Sequence, residues 1–347
     1  MSQTASHPRP DPSLGSYATM LLLALLWGVS IPITKLGLIT LPPLTLTALR
    51  FIIAVPLMFL LVIGKQRLPW RELPRLAALG ILGIGIGQVA QTFGVAGTSA
   101  SVGTIISATI PIFVVIFATM RLRQSVLRLQ ALGLVAAFAG IAVVASGRGD
   151  AASAATQTTL TGAMLVLLSA VTIAFYYVWS VELSERWGTA TVAAWSTLFG
   201  FLALLPWAGW EMWHVPLTIT ATGLAAAAYL GVVVTVLGLF MWLAILRTVP
   251  ARIAAAIQYL QPVVGVAAAA VMFGDELGLM FALGVVLVLG GLALTVTNRR
   301  GEGGLTVPGR VDSTAVRASS DGHADTRPSH RDRPDACRRR RACSRMP

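Results

Sequence analysis

Ten apolar runs follow one another along this chain with hardly a polar interval between them: 17–39, 44–63, 76–95, 102–119, 129–145, 160–179, 191–210, 221–245, 253–272 and 277–297. Each is close to the roughly 17 to 25 residues that a helix needs to cross a bilayer. In hydrocarbon the backbone polar groups must be satisfied within the structure, which leaves helices and closed barrels. Barrel strands would be shorter and would alternate polar with apolar residues, and these runs do neither. The expected fold is an all-α membrane protein with ten transmembrane helices. Composition agrees: 12% of the residues are charged, against about 25% in soluble domains. The segment before residue 17 is polar and the first run is too long for a signal core, so it is expected to remain as an anchor.

Positive residues of short loops stay on the cytoplasmic side. With the N-terminus inside, one set of loops holds Lys65, Arg67, Arg71, Arg75, Arg121, Arg123, Arg128, Arg186, Arg247 and Arg252, and the other holds only Arg148. Both termini are therefore expected in the cytoplasm, and the membrane is expected to be the inner, or plasma, membrane. Much of the net charge of +12 comes from this bias; the rest lies in the tail 301–347, which carries ten Arg and six acidic residues. Its Gly/Ser/Asp/Pro-rich composition cannot bury enough surface to fold alone. The run Arg338–Arg341 would suit anionic headgroups, although a tail without a specific role explains it as well. Both cysteines, Cys337 and Cys343, fall in that tail, and no histidine falls inside a run. No metal, cofactor or nucleic-acid partner is expected; the partners are the lipid bilayer and a small-molecule substrate.

Sliding residues 77–145 against 228–296, a shift of 151 without a gap, matches 15 of 69 positions. The kind of residue matters more than the number, because apolar composition alone produces coincident Ala and Leu. Here Gly80 meets Gly231, Gly87 meets Gly238, Pro111 meets Pro262, Gly133 meets Gly284 and Gly140 meets Gly291. The unit is five runs, and an odd number of crossings inverts the second copy. Two inverted five-helix repeats are a signature of secondary transporters, with the substrate held near the midplane between them. The organisation expected is a cytoplasmic segment 1–16, a first repeat 17–146, an external linker 147–159, a second repeat 160–300 and the tail 301–347. The glycines of "GILGIGIG", Gly80–Gly87, do not fit GxGxxG and lie inside a membrane run, so they are read as a close-packing face.

Trp27-Gly28 followed by Lys35, Arg50 in "TALRFIIA", and in each half a proline-centred run leading into a glycine-containing one resemble the EamA-type exporters of the drug/metabolite transporter superfamily. The second copy, "AAAIQYLQPVVGVAAAAVMFGDELGLMFALG" with Glu276, fits the pattern. The first departs from it, with Ser125 in "RLRQS" where the family has an acidic residue. The resemblance covers about 17–300 and implies export or exchange of a small metabolite, such as an amino acid or related compound.

Several polar and aromatic residues inside the runs are candidate substrate contacts. Ser107, Gln258 and Gln261 stand beside Pro111 and Pro262, prolines that would kink their helices and shape a cavity. Gln88 and Gln91, three apart, give the third run a polar face, and buried amides need partners. Hydrogen bonds that only hold the bundle together account for these residues equally well. Trp27, Tyr177 and Trp242 lie deeper than the aromatics expected at the headgroups. Lys35 and Arg50 lie in the outer halves of their runs, where Lys35 either snorkels or joins Arg50 in meeting a substrate carboxylate or Glu276. The second half has Val181 and Ser196 in their place. No carboxylate is expected in the core. An embedded enzyme lacks its nucleophile and base, while a lipid-linked substrate translocase or a non-transporting scaffold remains the alternative to a carrier.

Overall fold

The computed structural model describes residues 14–64, 68–122, 128–146, 158–248, 260–275 and 277–297, and every regular element among them is a helix. Seven helical segments are long and apolar enough to cross a membrane: Leu14–Gly37, Pro43–Leu60, Trp70–Ala96, Ala100–Arg121, Leu160–Trp179, Thr189–His214 and Ala221–Trp242. Three shorter apolar helices, Ala131–Val144, Leu260–Phe273 and Leu279–Leu294, occupy the remaining runs. The expectation of ten full-length spans is thus met by seven among the described residues. The ninth run is described only from Leu260 onward, so Gln258 and Tyr259 lie outside the described residues, as does Glu276.

Most of the long segments are not straight α-helices. The first consists of α1 (Leu14–Gly28) and α2 (Ser30–Gly37), followed by α3 (Pro43–Leu60). The third passes through α4 (Leu73–Leu79), a π-helical turn at Gly80–Gly85, and α5 (Ile86–Ala96). The fourth pauses between α6 (Ala100–Ser107) and α7 (Ile110–Leu122), just ahead of Pro111. Proline lacks an N–H and disfavours a helical residue before it, so the pause falls where it must. Then come α8 (Arg128–Ser146), α9 (Leu160–Trp179), α10 (Val181–Trp187) and α11 (Thr189–His214). Gly188, between the last two, has φ +81°, a conformation that glycine tolerates best. The eighth segment repeats the design of the third: α12 (Ala221–Ala228), a π-helical turn at Tyr229–Leu237, and α13 (Gly238–Thr248). Last come α14 (Leu260–Phe273) and α15 (Leu279–Thr297). Shifted by 151, the first π turn falls inside the second.

Between helices in lipid, apolar area provides little drive, so close backbone approach and hydrogen bonds hold the bundle. The pair α8 and α15 shows how close. A Cβ built on Gly140 would meet the Gly284 carbonyl oxygen at 2.7 Å, and one on Gly284 would meet the Gly140 oxygen at 3.0 Å. Other contacts come in pairs: α5 lies on α9 as α1 lies on α13, and α7 on α9 as α1 on α14. The first π turn lies on α11 and the second on α3, while α3 and α11 also touch each other. A buried cluster of Ile31, Val95, Ile105, Ile106, Val144, Val166 and Val288 joins α2, α5, α6, α8, α9 and α15.

Candidate functional site

Arg50 is the eighth residue of the eighteen-residue helix α3, which sets it near mid-span. It is partly buried, and its guanidinium reaches two other elements. Nε donates to Thr235 Oγ1 at 3.0 Å and Nη1 donates to Gln88 Oε1 at 2.5 Å. Thr235 sits in the second π turn and passes the chain on, donating its hydroxyl to the Leu230 carbonyl five residues back at 2.8 Å. The bond is a side-chain one, from the Thr235 hydroxyl to a carbonyl of the π turn. The amide of Gln88 must present its oxygen, since a guanidinium has donors only. Beside it, Thr92 donates to the Gln88 carbonyl and Thr47 of α3 donates to Thr92, both close to 2.9 Å.

Gln91, one turn along α5, is partly buried and makes no side-chain hydrogen bond to a described residue. Tyr177 of α9 has 50% of its surface open and lies within electrostatic reach of Arg50. Trp27 and Trp242 stand side by side with ring centroids 6.1 Å apart, and Trp27 Nε1 donates to the Val234 carbonyl of the second π turn at 3.0 Å. In the other half, Gly83 of the first π turn is covered by Tyr176. Ser107 ends α6 with its Oγ buried and without a partner. Gln261 and Pro262 open α14, and the Gln261 carbonyl lies against Gly28.

Arg50 and Gln88 are therefore joined, with Tyr177 within electrostatic reach, Trp27 and Trp242 form a pair, and Lys35 is elsewhere. All three N–H groups of its ammonium are taken, by the carbonyls of Thr98 (2.6 Å), Val95 (3.0 Å) and Ala96 (3.1 Å). These carbonyls lie at the C-terminus of α5 and in the turn that follows it, where the helix dipole also favours a cation. The turn they belong to is held from two further sides. Thr159 donates its N–H and hydroxyl to the Gly97 carbonyl, and Asp275 Oδ2 accepts the Ser101 N–H at 2.8 Å.

Two carboxylates, Asp275 and Glu211, are buried at the ends of spans, where each accepts backbone N–H groups at the start of another helix. Asp275 is 8% exposed, and its Oδ1 has no partner. Glu211, near the C-terminal end of α11, is 5% exposed. It accepts the N–H groups of Leu44 and Thr45 and the Thr45 hydroxyl, at 3.2, 2.7 and 2.9 Å. The sequence signal for this was Pro42-Pro43, a helix start whose own N-cap residue offers no side-chain acceptor.

Wider comparison places this geometry among known proteins. Over 288 residues the chain is 26% identical to an uncharacterized transporter of Archaeoglobus fulgidus, covering 82% of this chain and 99% of that one. It is 29% identical to a probable amino-acid metabolite efflux pump of Salmonella typhimurium (80% and 93% covered) and 28% identical to one of the same description from Escherichia coli (81% and 94%). A solved crystal structure superposes with a TM-score of 0.57 at 19% identity, covering 82% of this chain and 99% of that one, a likeness of fold. These relatives are transporters and not enzymes. The model of the EamA-like transporter family matches residues 14–146 and again 160–297, most of the chain, and membership in the drug/metabolite transporter superfamily fits. The protein is a multi-pass membrane transporter and belongs to the EamA-like transporter family.

Proposed function

We propose that the protein is a secondary transporter of the inner membrane that exports or exchanges a small metabolite, an amino acid or a related compound. It works by alternating access between two inverted five-helix halves, 17–146 and 160–300, joined by an external linker at 147–159, with both termini in the cytoplasm. The observation that carries this is the pair of π turns. Gly80–Gly85 and Tyr229–Leu237 occupy matching positions, and each leans on a helix of the opposite half. Breaks of this kind concentrate at functional sites and supply carbonyls at membrane depth. The paired helix contacts and the double match to the family model support the two-half reading, and the names of the relatives support the substrate range.

Arg50, Gln88, Gln91 and Tyr177 line the centre in this reading, with Trp27 and Trp242 as one wall and Ser107, Gln258 and Gln261 as the polar ends of the proline-bearing spans. Pro111 and Pro262 shape those spans. Lys35, with its donors engaged, fastens the turn 95–101 at the outer end. The test is flux of labelled metabolites in proteoliposomes, with candidates drawn from spent medium of overexpressing cells. Gln261→Leu is expected to reduce flux at least severalfold at unchanged membrane abundance. Absence of flux for every metabolite that overexpression enriches in the medium would sink the carrier reading.

A further inference from the structure

We propose that Arg50 is an anion-binding centre, and that the transported substrate presents a carboxylate to it. The proposal rests on the carrier reading and names the chemical class of its substrate. Arginine stays charged at any physiological pH. A cation set in the middle of a membrane helix is costly unless something neutralises it. Yet the two groups that Arg50 engages, Thr235 Oγ1 and Gln88 Oε1, are neutral. Nη2 makes no hydrogen bond to a described residue, although it belongs to a planar fork whose paired N–H groups match the two oxygens of a carboxylate.

The acids among the described residues are all accounted for elsewhere. Glu72 is close to Arg75, and Glu182 pairs with Arg121 and Arg186. Glu211 holds the start of α3, and Asp275 holds the start of α6. Glu185 lies in α10, beyond the end of the α9 span. Among the described residues no carboxylate therefore reaches Arg50, and its Nη2 edge is left for an anion from outside.

The arrangement is also single. A Cβ on Gly231 would meet the Arg50 carbonyl oxygen at 2.8 Å, while a Cβ on Gly80, the matching glycine, would fall against the carbonyl of Ser196. Position 50 in the first half is thus structurally matched by position 196 in the second, where a neutral hydroxyl stands. At this matched pair of positions the two halves carry one cation between them, so the centre takes one anionic group. Gln88 and Thr235 come from helices that also carry the two π turns, so rearranging either turn would alter how the guanidinium is held.

The experiment uses purified full-length protein in detergent and in proteoliposomes, with α-amino acids and 2-oxo acids each paired with its primary amide, and chloride as an inorganic control. Carboxylates should raise the thermal midpoint and be transported, and their amides should bind at least tenfold more weakly. Arg50→Gln should lose that preference. Because Arg50→Gln removes a bridge between three spans and is prone to fold poorly, Gln88→Glu is the second variant. It supplies an internal counter-ion, so the protein should fold normally and still lose carboxylate binding. Carboxylate binding without flux would support the anion centre and defeat the carrier reading. Transport of amides or amines as readily as acids would overturn the anion centre and leave the carrier reading standing. Retained carboxylate preference in Gln88→Glu, or stabilisation by chloride equal to that by organic acids, would also overturn it.

Discussion

At the residue scale the two membrane-embedded cations divide the work. Lys35 has every donor on a backbone carbonyl at one helix end, and Arg50 has a free edge at mid-span. A hydrogen bond to a charged group contributes about 1.5–3 kcal/mol, so losing this set is a stability effect before it is a transport effect. Lys35→Gln is expected to lower the thermal midpoint in detergent by an amount corresponding to about 2 kcal/mol while leaving substrate selectivity unchanged. An altered selectivity at unchanged stability would return Lys35 to the binding site. In the sequence Lys35 and Arg50 looked alike, two cations fifteen residues apart. Their acceptors separate them, and those acceptors lie on other spans.

At the element scale the glycines of the third segment decide where spans meet. "GILGIGIG" was legible as a packing face because small residues recur on it. The π turn that it adopts was not, since nothing local in Gly80–Gly85 distinguishes an i−5 bond from an i−4 bond. Gly80 lies on the backbone of Ser196 and Gly85 on that of Gly200, whereas nothing comes within 4 Å of a Cβ built on Gly209 of α11. Gly80→Ala should therefore cost about 1–3 kcal/mol by overpacking. Gly209→Ala should be neutral or stabilising by up to about 1 kcal/mol, because it relieves the entropy of a helical glycine without a clash. Fluorescence-detected size exclusion after a heat step would rank the two. Equal midpoints would mean that the third segment and α11 do not touch through these glycines.

At the scale of the whole molecule the expected topology makes a direct prediction about access. Both native cysteines lie in the tail, so Cys337→Ser and Cys343→Ser give a background without thiols. In that background Ser153→Cys in the linker should react with an impermeant maleimide in intact cells, and Gln66→Cys should react only after permeabilisation. The opposite pattern would invert the protein, and labelling of both in intact cells would break the two-half arrangement.

The sequence by itself determined where the apolar helices lie, which polar and aromatic residues sit inside them, and that glycines and prolines recur 151 residues apart. All of these follow from local properties: hydrophobic length, side-chain type and backbone freedom. Only the tertiary structure decided which of those residues meet. Glu211 caps a helix that begins 168 residues earlier, Lys35 closes a turn some 60 residues away, and Arg50 reaches Gln88 and Thr235 on two different spans. The physical reason is rotational phase. One extra residue in a π turn rotates everything beyond it by about 100° around the helix axis, the angle of one residue at 3.6 per turn. The face that a side chain presents is therefore fixed by the break and the backbone packed against it, and not by spacing along the chain.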